Sequence, residues 1–144
     1  MRDLYLFERL ADLAPMVLGR RLNMLSGADE CQVMGMAAGS DGAIGTFYNM
    51  MPKTFVALRA AFNRGDTAEA LRMQTRGNRV IALALDGGVG KLSVLASMRH
   101  YMREEQGIVA AGYSKKVTRG DVYTDHVHGA AFTTAVQQLG FPIE

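Results

Sequence analysis

A chain of 144 residues, 49% apolar and 21% charged, has the composition of a globular protein with its own core, which excludes intrinsic disorder. Its net charge of +2 is spread over scattered basic residues, and no aromatic-interleaved basic motif accompanies them, so we expect no nucleic-acid partner. The single cysteine, Cys31, rules out an internal disulfide and fits a reducing compartment. With no run of eighteen apolar residues and no apolar signal segment after Met1, the expectation is a cytoplasmic chain with no membrane partner.

Taken in order, Asp3 to Ala14 reads as a helix. Leu4, Phe7, Ala11 and Ala14 share a stripe that Leu6, Leu10 and Leu13 widen, Asp3 is the N-cap, and Pro15 is the stop. Leu22–Leu25 is a short apolar run of the kind a buried parallel strand makes. Ser26 and Asp29 have capping-box spacing, and a helix follows to about Ala38 with Asp29 and Glu30 in its first turn. Gly39 is placed for a helix C-cap, Asp41-Gly42 for a turn, and Ala43-Ile44, running to Gly45, for a very short buried strand. Thr46 then sits at the strand's C-terminal end, where α/β proteins place ligand contacts.

From Pro52 the pattern is helical throughout. One helix runs to about Phe62 before the Asn63-Arg64-Gly65 stop. Asp66 and Glu69 cap a second, to about Leu85, with Ala68, Leu71, Thr75, Asn78, Ala82 and Leu85 on one side and Gly87-Gly88 at its end. Lys91 to about Glu105 is a third, closed by Gly107; 108–121 reads as a loop, and Asp125 to Leu139 as the last helix, stopped by Gly140 and Pro142. Two strands cannot make a sheet that covers itself. The alternating βα pattern therefore predicts a piece of a larger α/β layer, with unpaired edges that invite self-association or pairing with another polypeptide.

Three segments, Leu25-Ser26-Gly27-Ala28-Asp29-Glu30, Ala38-Gly39-Ser40-Asp41-Gly42-Ala43-Ile44-Gly45-Thr46 and Tyr48-Asn49, resemble the C-terminal half of the N-acetylneuraminate lyase and dihydrodipicolinate synthase superfamily. The resemblance takes in Phe62-Asn63-Arg64-Gly65-Asp66 and the helix after it, runs from about Asp3 to Leu95, and fades after Gly107. It implies the C-terminal part of a (β/α)8 TIM barrel, an α/β fold that is mostly helical in this chain. Residues 1–50 would hold the last βα units, and 51–144 the final barrel helix and a C-terminal helical extension. The Gly-x-Asp-Glu sequence and the Gly-Thr pair are most similar to the N-acetylneuraminate lyase branch, with the synthase branch as the alternative. On this mapping Gly27, Asp29, Glu30, Gly45 and Thr46 bind a sugar acid or other 2-keto acid, with no cofactor and no metal.

The family's Schiff-base lysine lies on the strand before the helix that opens this chain, and its proton-shuttling tyrosine and Thr-Thr pair lie further upstream. Lys53, Lys91, Lys115 and Lys116 match nothing catalytic, so we expect no catalytic residue in this chain. Each signal also has a plainer reading. Asp29 and Glu30 serve equally as helix N-terminal acids, Thr46 as a cap, and Cys31 as a small buried residue without an activating partner. His126 and His128, two apart on a helix, point in different directions and make no metal site alone. A non-catalytic helical scaffold is the reading from a different class.

Overall fold

Two strands, β1 (Leu25–Ser26) and β2 (Gly42–Ala43), pair in parallel, with Leu25 opposite Gly42 and Ser26 opposite Ala43. They are the strands of a computed structural model that describes residues 4–85, 101–103, 106–107 and 126–140. The chain divides into two compact units, Met1–Thr75 and Arg76–Glu144. Both strands are shorter than the sequence predicts and displaced from Leu22–Leu25 and Ala43–Gly45. The main-chain ladder runs from Asp41 N–H on Met24 C=O (2.8 Å) to Ile44 N–H on Ser26 C=O (2.9 Å). Below it, the Asp41 carboxylate takes the Met24 N–H at 2.8 Å, so a side chain ends the ladder where Leu22 and Asn23 would have extended it. Asp41 is accordingly a bend and Gly42 already strand, in place of the predicted Asp41-Gly42 turn. Ile44, expected buried, is 68% exposed.

The first helix, α1 (Leu4–Leu18), passes through Pro15 instead of stopping before it. A proline inside a helix removes one N–H, here the partner of the Ala11 carbonyl, and that loss has not ended the helix. The stop is Gly19, whose φ of +65° closes the C-terminus. Ala14 is buried and Phe7 and Ala11 half-buried, as the stripe predicts, whereas Leu4, Leu6, Leu10, Met16, Val17 and Leu18 are exposed.

The helix predicted from Ser26 is two pieces, a 3-10 turn over Asp29–Cys31 and then α2 (Gln32–Ala37). The capping box does not form. Ala28 holds the cap position, with no side-chain bond, and Ser26 Oγ is buried without a partner. Cys31 is half-buried rather than buried. At the far end Gly39 (φ +87°) closes α2 as predicted, with Gly39 N–H on Met36 C=O and Ser40 N–H on Gly35 C=O, the paired bonds of a Schellman cap.

Helix α3 (Pro52–Asn63) begins on its proline and buries Phe55, Leu58 and Ala61, one turn apart. A second Schellman cap at Gly65 (φ +81°) turns the chain, and Asp66 at once caps α4 (Thr67–Leu85) by accepting the Glu69 N–H at 3.0 Å. The buried side of α4 is one residue off the predicted stripe. Ala70, Gln74, Gly77, Val80, Ile81 and Ala84 are buried, while Ala68, Leu71, Thr75 and Leu85 are exposed. Small and polar residues hide this face from a hydrophobicity pattern.

In the second unit, α5 (His126–Gln138) buries Phe132, Thr133 and Val136 and stops at Gly140 (φ +65°). The Phe132 ring meets Tyr101 edge to face, centroids 6.5 Å apart. Residues 101–103 are helical. Most of the predicted third helix, the Gly87-Gly88 stop, the 108–121 loop and Pro142 lie outside the described residues.

Candidate functional site

Parallel strands deliver two chain segments to the same end, and here those segments carry all five candidate residues. After β1 come Gly27, Asp29 and Glu30; after β2 come Gly45 and Thr46, followed by a 3-10 turn over Phe47–Asn49. Asp29 joins the two segments. Its side chain crosses to the second loop, where Oδ2 accepts the Phe47 N–H at 2.6 Å. Asp29 is therefore not merely a helix N-terminal acid.

Gly45 makes this crossing possible. A Cβ built on Gly45 would stand 1.3 Å from Asp29 Oδ1 and 2.3 Å from its Cγ, inside the carboxyl group itself. Asp29 is 5% exposed, and Oδ1 has no hydrogen-bond partner. A buried carboxylate oxygen without a donor is costly, and the burial shows in its acidity. Desolvation raises the Asp29 pKa above the ordinary carboxylate value, the neighbouring Glu30 charge adds to the rise, and the Phe47 and Thr46 backbone N–H groups oppose it.

Around Asp29 the other positions differ in exposure. Gly27 and Glu30 are exposed, while Gly45 and Thr46 are half-buried. Thr46 occupies the cap position of the 3-10 turn without a side-chain bond, so its hydroxyl does not serve as the cap. Its carbonyl accepts the Asn49 side-chain amide at 3.0 Å, which tightens the turn.

Three residues at this end were given no role by sequence reasoning, although Tyr48 belongs to a segment that carries the resemblance. Tyr48, half-buried, packs edge to face on Phe55 (centroids 4.5 Å apart), and its hydroxyl has no partner. Burial pushes that hydroxyl's pKa up, with the Asp29 and Glu30 charges adding to the effect. Gln32, whose Oε1 is buried and unpartnered, lines with Tyr48, Ala43, Phe55 and Arg59 a groove of about 220 Å³. Gln74 reaches in from α4, its Nε2 donating to the Asp29 C=O at 2.9 Å and its Oε1 accepting the Val33 N–H at 3.1 Å. Only the two-strand geometry reveals these roles; a lone glutamine on a helix carries no such signal. Among the described residues no three His, Cys, Asp or Glu side chains gather as a metal site would require.

A buried carboxylate with an unpartnered oxygen thus lies beside an exposed Glu and a half-buried Thr at the C-terminal ends of two parallel strands. Residues 7–102 match the model of the dihydrodipicolinate synthetase family, and the chain belongs to that family. It is 36% identical over 100 residues to the N-acetylneuraminate lyases of Enterobacter sp. (strain 638) and Salmonella newport (strain SL254), an alignment covering 69% of this chain and 31% of each relative. A crystal structure of the N-acetylneuraminate lyase from Mycoplasma synoviae superposes with a TM-score of 0.68 at 25% identity, over 95% of this chain and 43% of that one. The chain thus spans about a third of the length of the curated relatives it matches. The fold is the C-terminal part of a (β/α)8 barrel, mostly helical, with two parallel strands.

Proposed function

We propose that this chain supplies the sugar-recognising part of a Schiff-base aldolase, one that cleaves or forms a carbon–carbon bond beside the pyruvyl group of a sugar acid such as N-acetylneuraminate. The observation that carries the reading is Asp29 Oδ1, buried and unpartnered beside Gly45 at the strand ends. A substrate hydroxyl would donate to that oxygen. Glu30 and Thr46 would take further hydroxyls of the tail and Gly27 would present its backbone. Charge-assisted bonds of about 1.5–3 kcal/mol each select a hydroxylated substrate over a bare one. In this reading 1–50 contributes the last βα units and 51–144 the final barrel helix and C-terminal helices, in a cytoplasmic enzyme. Another 2-keto acid, as in the synthase branch, is the alternative substrate.

The imine-forming lysine comes from outside this chain. Lys53, in the first turn of α3, is exposed, and Lys91, Lys115 and Lys116 lie outside the described residues. Borohydride treatment of the isolated chain with pyruvate is expected to leave its mass unchanged; a pyruvyl adduct on any lysine overturns that expectation. The exposed Leu6, Leu10, Met16 and Val17 of α1 support a partner surface, either a second copy or the polypeptide bearing the preceding strands. Light scattering that found a monomer would count against it.

The deciding experiment supplies those preceding strands from a family member and assays sugar-acid cleavage. Glu30→Ala should then lower kcat/KM by about tenfold to a hundredfold, and by less on a substrate truncated of its terminal hydroxyls. Equal losses on both substrates would make Glu30 a structural residue.

A further inference from the structure

We infer that Gln74, on the helix after the last barrel helix, is a positioning residue that sets the Asp29–Glu30 turn for ligand. The inference rests on the reading of Asp29 and Glu30 given above, and its geometry is independent of that reading.

Gln74 is 3% exposed, and both ends of its carboxamide are used on one short stretch. Val33 N–H lies in the first turn of α2, where backbone donors have no intrahelical acceptor. Neither the 3-10 turn nor α2 has a side-chain cap of its own. Gln74 provides the missing acceptor from 41 residues away, and with the same group donates to the Asp29 carbonyl 45 residues away. One partner is a donor and the other an acceptor, so the orientation of the amide is fixed and no other side chain of this length replaces it at neutral pH.

Asp29 is consequently held twice, by its backbone carbonyl through Gln74 and by its carboxylate through Phe47. With both ends fixed, Oδ1 stays in the space that Gly45 leaves, and the adjoining Glu30 keeps its place on the exposed side. A residue of the C-terminal helical layer thereby determines the geometry of recognition without touching the ligand.

The test uses the 144-residue chain in solution, with Gln74→Leu and Gln74→Glu. Gln74→Leu should raise hydrogen exchange at the Val33 and Phe47 amides by about tenfold or more, leave the Leu58 amide of α3 unchanged, and shift the carboxyl titration of Asp29. Gln74→Glu preserves size and supplies a rescue. Its protonated carboxyl has both a donor and an acceptor, so protection at Val33 and Phe47 should return at acidic pH and vanish once that side chain ionises. If Val33 alone responds while Phe47 and the Asp29 titration match the parent, Gln74 is only a remote helix cap and the inference falls. A Gln74→Glu variant whose protection does not change with pH overturns it equally. Titration with N-acetylneuraminate, followed at the Glu30 and Thr46 amides, separates the two ideas. Absence of a response in the parent refutes the sugar-acid reading of the site, whereas the exchange and titration data decide Gln74 alone.

Discussion

Two aspartates stitch the strands together, one at each end, and they do so in opposite electrostatic states. At the C-terminal end Asp29, after β1, reaches the Phe47 N–H beyond β2; at the N-terminal end Asp41, before β2, reaches the Met24 N–H before β1. Asp41 is saturated. Its second oxygen pairs with Arg21, and its carbonyl takes a bond from Arg59. The Met24 N–H bond, helped by Arg21 and Arg59, holds its carboxyl below the usual range against the opposing desolvation. Asp29 has one oxygen satisfied and one bare, and burial holds its pKa high. The same device thus joins the strands at both ends, and at one of them it leaves a buried acceptor unpartnered.

The contrast breaks most severely at Gly45. Gly45→Ala places a methyl where the Asp29 carboxyl lies and must expel it from the Phe47 bond. Overpacking and the lost charged bond together should cost about 3 kcal/mol, measured by urea denaturation. If the variant unfolds at the parent's midpoint, the tight approach is not a determinant of the fold.

Smaller effects follow at Asp29 itself. Asp29→Ala strands the Phe47 N–H and should cost about 1–3 kcal/mol, whereas Asp29→Asn keeps an acceptor and loses the desolvated charge. A raised native pKa means that the contribution of Asp29 to stability is fully present below about 3.8 and is lost as pH rises through the native value. The Asn variant should therefore gain on the parent as pH rises across that window. A constant difference between the two would mean that the charge is not desolvated.

The smallest expected change sharpens the contrast from the other end. The native pKa of Asp41 is lowered, so its contribution is present above about 3.8 and is lost as pH falls through the native value. Asp41→Asn should flatten the acid limb of the stability curve, and parallel acid limbs for parent and variant would remove Asp41 from the account.

Where the sequence was legible, a local rule sufficed. The Gly39 and Gly65 stops, the Asp66 cap, the extent of α3 and the start of α4 all follow from residues within a turn of one another. The strands were misplaced because their ends are set by a distant side chain, the Asp41 carboxylate on Met24. Pro15 misled because a proline disfavours helix without forbidding it. Gly27, Asp29 and Glu30 came from family resemblance, and Gly45 and Thr46 also from their place at a strand end, but no spacing rule yields the Gly45–Asp29 approach. Gln74 escaped notice because the stretch of buried face around it, Ala70, Gln74 and Gly77, carries no apolar period.

The reach of Gln74 also bears on the order of events in folding. The α3–α4 corner closes through bonds spanning two to five residues, while the Gln74 bonds span 41 and 45. Long closures return free energy only after the intervening chain is ordered, so the clasp belongs on the native side of the rate-limiting barrier. Removing it should quicken unfolding and leave refolding nearly unchanged. The turn that presents Asp29 would then be among the last parts of the first unit to form and the first to open. The Asp29 turn would be set only on a scaffold that has already folded.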